Sequence, residues 1–86
     1  DDIKTLRIAT LITLEQMAME VTDDDATDGG WKIIAIAAHR EINIDLERLT
    51  KRATRMRVVA NEGKIFFKDS ATATEIILLT AENLGG

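Results

Sequence analysis

The chain has 86 residues, 45% of them apolar and 30% charged, with a formal net charge of −4. This composition excludes a disordered segment and predicts a packed core, in a unit small enough to bury only about 60 to 65% of the surface its unfolded chain exposes. The absence of cysteine excludes a disulfide framework, a thiolate nucleophile and a cysteine metal site, and three aromatic residues are too few for a base-stacking surface.

The first stretch, residues 2–21, fits two periods. Leu6, Ile8, Thr10, Ile12 and Leu14 alternate as a strand does, while Ile3, Leu6, Thr10, Thr13 or Leu14, Met17 and Val21 recur at helical spacing. Length decides for a helix, because about 20 residues without a turn exceeds ordinary strand length and "LEQMAME" is strong helix-forming material. Asp1 or Asp2 is its expected cap. Lys4, Arg7, Glu15 and Glu20 interrupt the apolar run, so no membrane span is expected. The chain opens on Asp1, not Met, which predicts a processed or excised piece and leaves localisation unread.

"TDDDATDGG", residues 22–30, is acidic, poor in apolar groups and closed by two glycines, which predicts a loop. From Trp31 onward, Ala35, His39, Ile42, Leu46, Leu49, Ala53 and Met56 recur at alternating steps of four and three, the spacing of a long helix ending at Met56. "RVVA-NEG-KIFFK", residues 57–68, then places two β-prone runs around a glycine turn, as in a short hairpin. Asp69 or Ser70 is placed to cap a last helix, with Thr72 and Glu75 at capping-box spacing, and residues 84–86 form a frayed tail. The expected fold is one α+β domain over residues 1–86, mainly helical, in the order helix, long helix, short β-hairpin, C-terminal helix.

The long helix carries the functional expectation. From Trp31 to Met56 it would span roughly 40 Å, whereas a compact domain of this size is roughly 30 Å across. Its apolar seam of Ala35, His39, Ile42, Leu46, Leu49, Ala53 and Met56 would then need cover from another chain. The cations Arg48, Lys51, Arg52, Arg55 and Arg57 flank that seam, and Asp23, Asp24, Asp25 and Asp28 supply opposite charge in the same chain. These features predict a non-enzymatic structural or assembly subunit that forms a homo-oligomer or docks on a larger complex, of the virion, filament or connector class. The alternative is a dimeric nucleic-acid-associated regulator using the basic flank, which an acidic chain without aromatic interleaving supports less well.

No catalytic residue, cofactor or metal site is expected. His39, the only histidine, has no partner base or nucleophile at a useful spacing. Taking Asp23 as the first position of a calcium loop puts Asp28 where glycine is needed and Ile34 where the bidentate glutamate belongs. Gly29 and Gly30 lack the lysine and hydroxyl of a phosphate loop. "DSATATE" loosely resembles the Asp-Ser stretch of acyl and peptidyl carrier domains through Asp69, Ser70 and Glu75, but only over about ten residues, and capping accounts for the same residues.

Overall fold

In the computed structural model of the chain, residues 3–51, 53–62, 67, 68 and 70–85 are described. The first helix, α1, runs from Ile3 to Gln16 and buries Ile3, Leu6, Ala9, Thr10, Thr13 and Leu14 along one face. The two buried threonines stay in the helix by donating their hydroxyls to the carbonyls of Leu6 and Ala9, at 2.8 and 2.9 Å. The helix stops where Ala18 takes a left-handed conformation, with φ of 57°. There the Ala18 amide donates to the Glu15 carbonyl and the Met19 amide to the Leu14 carbonyl, at 3.0 and 2.9 Å. This is the two-bond Schellman closure, made without the usual glycine.

After α1 the chain forms an antiparallel meander: β1 (Glu20–Thr27), β2 (Gly30–Ala37), β3 (Arg40–Arg48), β4 (Thr54–Glu62) and a two-residue β5 (Phe67–Lys68), side by side in that order. A second helix, α2, covers Ser70–Gly85. The expected mainly helical order is therefore overturned. The first and last helices are present, but the acidic "loop" is strand β1 and the long central helix is three strands. Helix α1 also stops short of the expected residue 21, which belongs to β1. The short hairpin survives as the pairing of Asn61 with Lys68 and Glu62 with Phe67. Asn61 and Glu62 of its expected "NEG" turn are strand residues, and Leu84 and Gly85 of the expected frayed tail belong to α2; Gly63, the caps Asp1, Asp2 and Asp69, and Gly86 lie outside the described residues. Thr72 and Glu75 sit inside α2, past its start, so they are not its capping box.

The false helical stripe has a physical origin. A step of four keeps a residue on the same face of a strand as surely as it does on a helix, because strand side chains alternate with period two. Steps of three change strand face, and here they fall around the turns, where the chain reverses: Ala38–His39 joins β2 to β3, and residues 49–53 join β3 to β4. The β3 segment shows its true period directly, with Ile42, Ile44 and Leu46 buried while Glu41 and Asp45 are exposed and Asn43 is half-buried.

The register places Ile33, Ala35, Ile42, Ile44, Leu46 and Ala60 on one face of the sheet. That face packs with Ile3, Leu6 and Leu14 of α1 and Ile76 of α2. Burying aliphatic side chains of this kind stabilises by about 1.5–3 kcal/mol each, so this layer dominates the folding free energy. The two helices are joined by a buried polar contact, in which the Thr80 hydroxyl donates to Thr13 Oγ1 at 3.0 Å and Asn83 donates to the same oxygen at 2.9 Å. With every described buried side-chain polar atom bonded, the core has no orphaned donor that would mark a missing ligand.

Candidate interaction surface

The open face of the sheet is where the charges of the sequence come together. Alternation along each strand sends Asp23 and Asp25 of β1, Lys32 and Ile34 of β2, Asn43, Asp45 and Glu47 of β3, and Arg55, Arg57 and Val59 of β4 to the side away from the helices. One cross-strand row reads Asp25, Lys32, Asp45, Arg57. Signs alternate along it, the arrangement that favours neighbouring strands. In the next row Arg55 donates to Glu47 Oε2 at 2.7 Å. Both partners are about half exposed, at 59% and 47%, so the pair adds little to stability.

The predicted basic flank is thus divided. Arg55 and Arg57 share the open face, Arg48 closes β3 on the helix side, Lys51 lies in the connection before β4, and Arg52 lies outside the described residues. Of the predicted apolar seam, Ala35, Ile42 and Leu46 are fully buried in the core. Met56 is half-buried, His39 and Ala53 are exposed, and Leu49 is 51% exposed in the β3–β4 connection. A seam running through all seven does not exist, since three of them are sealed beneath the helices. His39 stands in the β2–β3 turn, at the opposite end of the sheet from the Asp28–Gly29 turn.

Two features were missed by sequence reasoning. The first is a cluster on the helix side of β1. Arg7 of α1 donates through Nε to Asp24 Oδ1 at 3.0 Å and through Nη2 to Asp24 Oδ2, and the Trp31 indole N–H donates to Oδ1 as well. The guanidinium also lies 4.7 Å from the centroid of the Trp31 ring. The hydrogen bond from Arg7 holds the Asp24 carboxyl below the usual carboxylate range, with the Trp31 bond acting in the same direction, and the Asp24 carboxylate raises Arg7. This cluster fastens the outer strand β1 to α1 and β2. It leaves Asp23 and Asp25 facing solvent on the other side, with no cation bonded to either among the described residues. The only sequence signal was a sole tryptophan directly after an acidic segment, which does not reveal a partner 17 residues earlier.

The second is the β4 margin. Among the described residues, β5 pairs only with Asn61 and Glu62, so Arg55 to Ala60 present an outer edge with no strand beside them. On the helix side the start of that strand adjoins a groove of about 330 Å³ lined by Leu6, Met56, Ile77, Ala81 and Leu84. Ile77 is 42% exposed there, and Ala53, whose carbonyl accepts from the amide of the exposed Leu49 at 2.9 Å, lines the groove as well. At the end of the sheet a second depression of about 310 Å³ mixes Arg48, Arg55 and Arg57 with Asp45 and Glu47, which offset the positive potential an anion would need. Among the described residues no three histidine, cysteine or carboxylate side chains are grouped to hold a metal ion, and no helix is long and apolar enough to cross a membrane.

Comparison with protein families, with curated proteins and with solved structures finds no match to this chain.

Proposed function

We propose that the domain is a non-enzymatic assembly or docking module that receives another protein chain along the outer edge of β4 and the apolar groove beside it. The observation that carries this reading is the open backbone edge from Arg55 to Ala60, with a groove at its start lined by Met56 and the exposed Ile77. An unpaired strand edge is a template for an added strand, because its outward N–H and C=O groups lack partners. Soluble domains usually blunt such edges, and β1 shows how, with Asp23, Asp24 and Asp25 along it and a bulge between Val21 and Asp23. Strand β4 carries an uncharged run, Val58, Val59 and Ala60, between Arg57 and its last residue, Glu62.

Placement of the titratable groups supports a role other than turnover. His39 is remote from every depression described above, and the carboxylates of the open face are spread along rows, not converged on one point. A nucleic-acid regulator is the weaker reading, because Asp45 and Glu47 sit between the cations of β4 and the rest of the sheet, and Trp31 is engaged by Arg7. Its mark would be binding to duplex or single strands that falls steeply with salt.

Sedimentation velocity from low to high micromolar concentration tests the proposal. The parent is expected to associate as concentration rises, and Leu49→Asp and Ile77→Asp, both at exposed positions, are expected to weaken association while keeping the parent's circular dichroism. Variants that associate as the parent does would overturn the choice of surface.

A further inference from the structure

We infer that the partner is a second copy of this chain, joined head to tail so that β1 of one molecule adds to the β4 edge of the next. The inference rests on the docking role of the β4 margin and names its occupant. Strands β1 and β4 are the two outer long strands of a four-strand meander, so they run in opposite directions. A copy displaced sideways across the sheet therefore brings β1 to β4 as an antiparallel pair, with no rotation required. Backbone polarity fits as well. In an antiparallel ladder, each residue turns its N–H and C=O toward only one neighbour, alternating along the strand and across each row. Followed through Asp25, Lys32, Asp45 and Arg57, that alternation leaves the outward side of Arg57 and the outward side of Asp25 of the same kind, so the ladder continues from one copy to the next.

Charge selects this pairing over its rivals. With Asp23 opposite Arg57 and Asp25 opposite Arg55, both acids of the β1 open face meet both cations of the β4 open face. Asp24 does not intrude, being held on the helix side by Arg7 and Trp31. Like edges fare worse: two β1 strands crossing at Asp24 oppose Asp23 to Asp25, and two β4 strands crossing at Arg57 oppose that arginine to itself. A β4 pair crossing at Val58 is cut short at Asn61, where β5 is already bound. The helix layer also has room. Four strands occupy about 19 Å at 4.7–4.9 Å each, and two helices side by side occupy about 16–20 Å. Successive copies can then continue both layers in step. Such a heterologous contact does not close on itself after two subunits and builds chains or rings.

The test uses two charge-reversed proteins: Arg55→Glu with Arg57→Glu, and Asp23→Arg with Asp25→Arg. Each alone carries like charges on both edges and is expected to sediment as a monomer. An equimolar mixture restores opposite charges at every junction and is expected to form multimers beyond the dimer, as the parent does. Because reversal beside Glu47 could unsettle β4, a second variant reads the register directly. Asp25→Cys with Arg55→Cys in this cysteine-free chain puts the two thiols three strands apart within one molecule, about 14 Å, which is too far to bridge internally. Oxidation is expected to yield a ladder of covalent multimers.

A parent that stays monomeric or stops at a dimer overturns the inference, as does a mixture that stays monomeric while the parent assembles, or a cysteine variant that remains monomeric when oxidised. If Leu49→Asp and Ile77→Asp still weaken assembly in those last two cases, the docking margin stands and only the head-to-tail arrangement falls.

Discussion

Gly30→Ala distinguishes most sharply between the sheet described here and the long helix that the sequence suggests. Gly30 opens β2 opposite Glu47, and a Cβ built on it would overlap the carbonyl oxygen of Leu46. It would also lie 2.8 Å from that carbonyl carbon and 3.1 Å from the Glu47 Cα, all of them backbone atoms with no rotamer to yield. Ordinary carbon contacts sit at about 3.5–4.0 Å. The β2 and β3 backbones must therefore separate at this point. That displacement threatens the Arg48 amide bond to the Gly29 carbonyl, now 2.8 Å, and disturbs Leu46, which is 1% exposed. Overpacking costs about 1–3 kcal/mol and each weakened backbone bond about 1 kcal/mol, so we expect a loss of about 2–4 kcal/mol. Stability in a domain of this size totals about 4–13 kcal/mol. At about 4–8 °C per kcal/mol, the midpoint of thermal unfolding should fall by about 8–32 °C. The assay is urea and thermal unfolding followed by circular dichroism and by fluorescence of the only tryptophan, Trp31. Gly29→Ala is the internal control, because its Cβ would meet nothing within 4 Å. If Gly30→Ala unfolds with the parent, or is more stable as a glycine-to-alanine change in or beside a helix should be, the pairing of β2 with β3 is wrong.

Asp24→Asn is expected to cost about 1–2 kcal/mol at neutral pH, since charge-assisted bonds are worth about 1.5–3 kcal/mol and this one is partly solvated. Because folding lowers the Asp24 pKa, its contribution is fully present above the unfolded value of about 3.9 and is lost as pH falls through the folded value. The stability gap between parent and variant, measured by urea unfolding across acidic pH, should therefore narrow at the acid end; a gap that is constant with pH would remove the ion pair as its cause. Ala18→Gly should stabilise by about 0.5–1 kcal/mol, because Ala18 holds a φ of 57° that an L side chain adopts at a cost. A midpoint unchanged or lowered in Ala18→Gly would contradict the left-handed closure of α1.

Much of the error in reading the sequence as helical traces to one turn. Ala38–His39 reverses the chain between β2 and β3 without glycine, asparagine, aspartate or proline, although Ala38 has a φ of 53° that glycine fits best. With that reversal hidden, Trp31 to Met56 looks continuous, and its steps of four satisfy helix and strand alike. The other missed turn was visible: Asp28–Gly29, between the paired residues Thr27 and Gly30, is a strong two-residue hairpin signal that a reading of residues 22–30 as one loop passed over. The acids obscured it, because Asp23, Asp24 and Asp25 look like solvated loop and prove to be edge-strand residues, two facing water and one held by Arg7 and Trp31.

The terminal helices, the absence of cysteine chemistry and the presence of opposite charges that could meet are legible along the chain alone. Those follow from local propensity and composition, which act over a few residues. Which cations share a face, which apolar residues are sealed, and which strand edge lacks a neighbour were decided only by the tertiary structure. Strand register links residues far apart in the chain, and a period of two with unmarked turns leaves that register unwritten in any short segment.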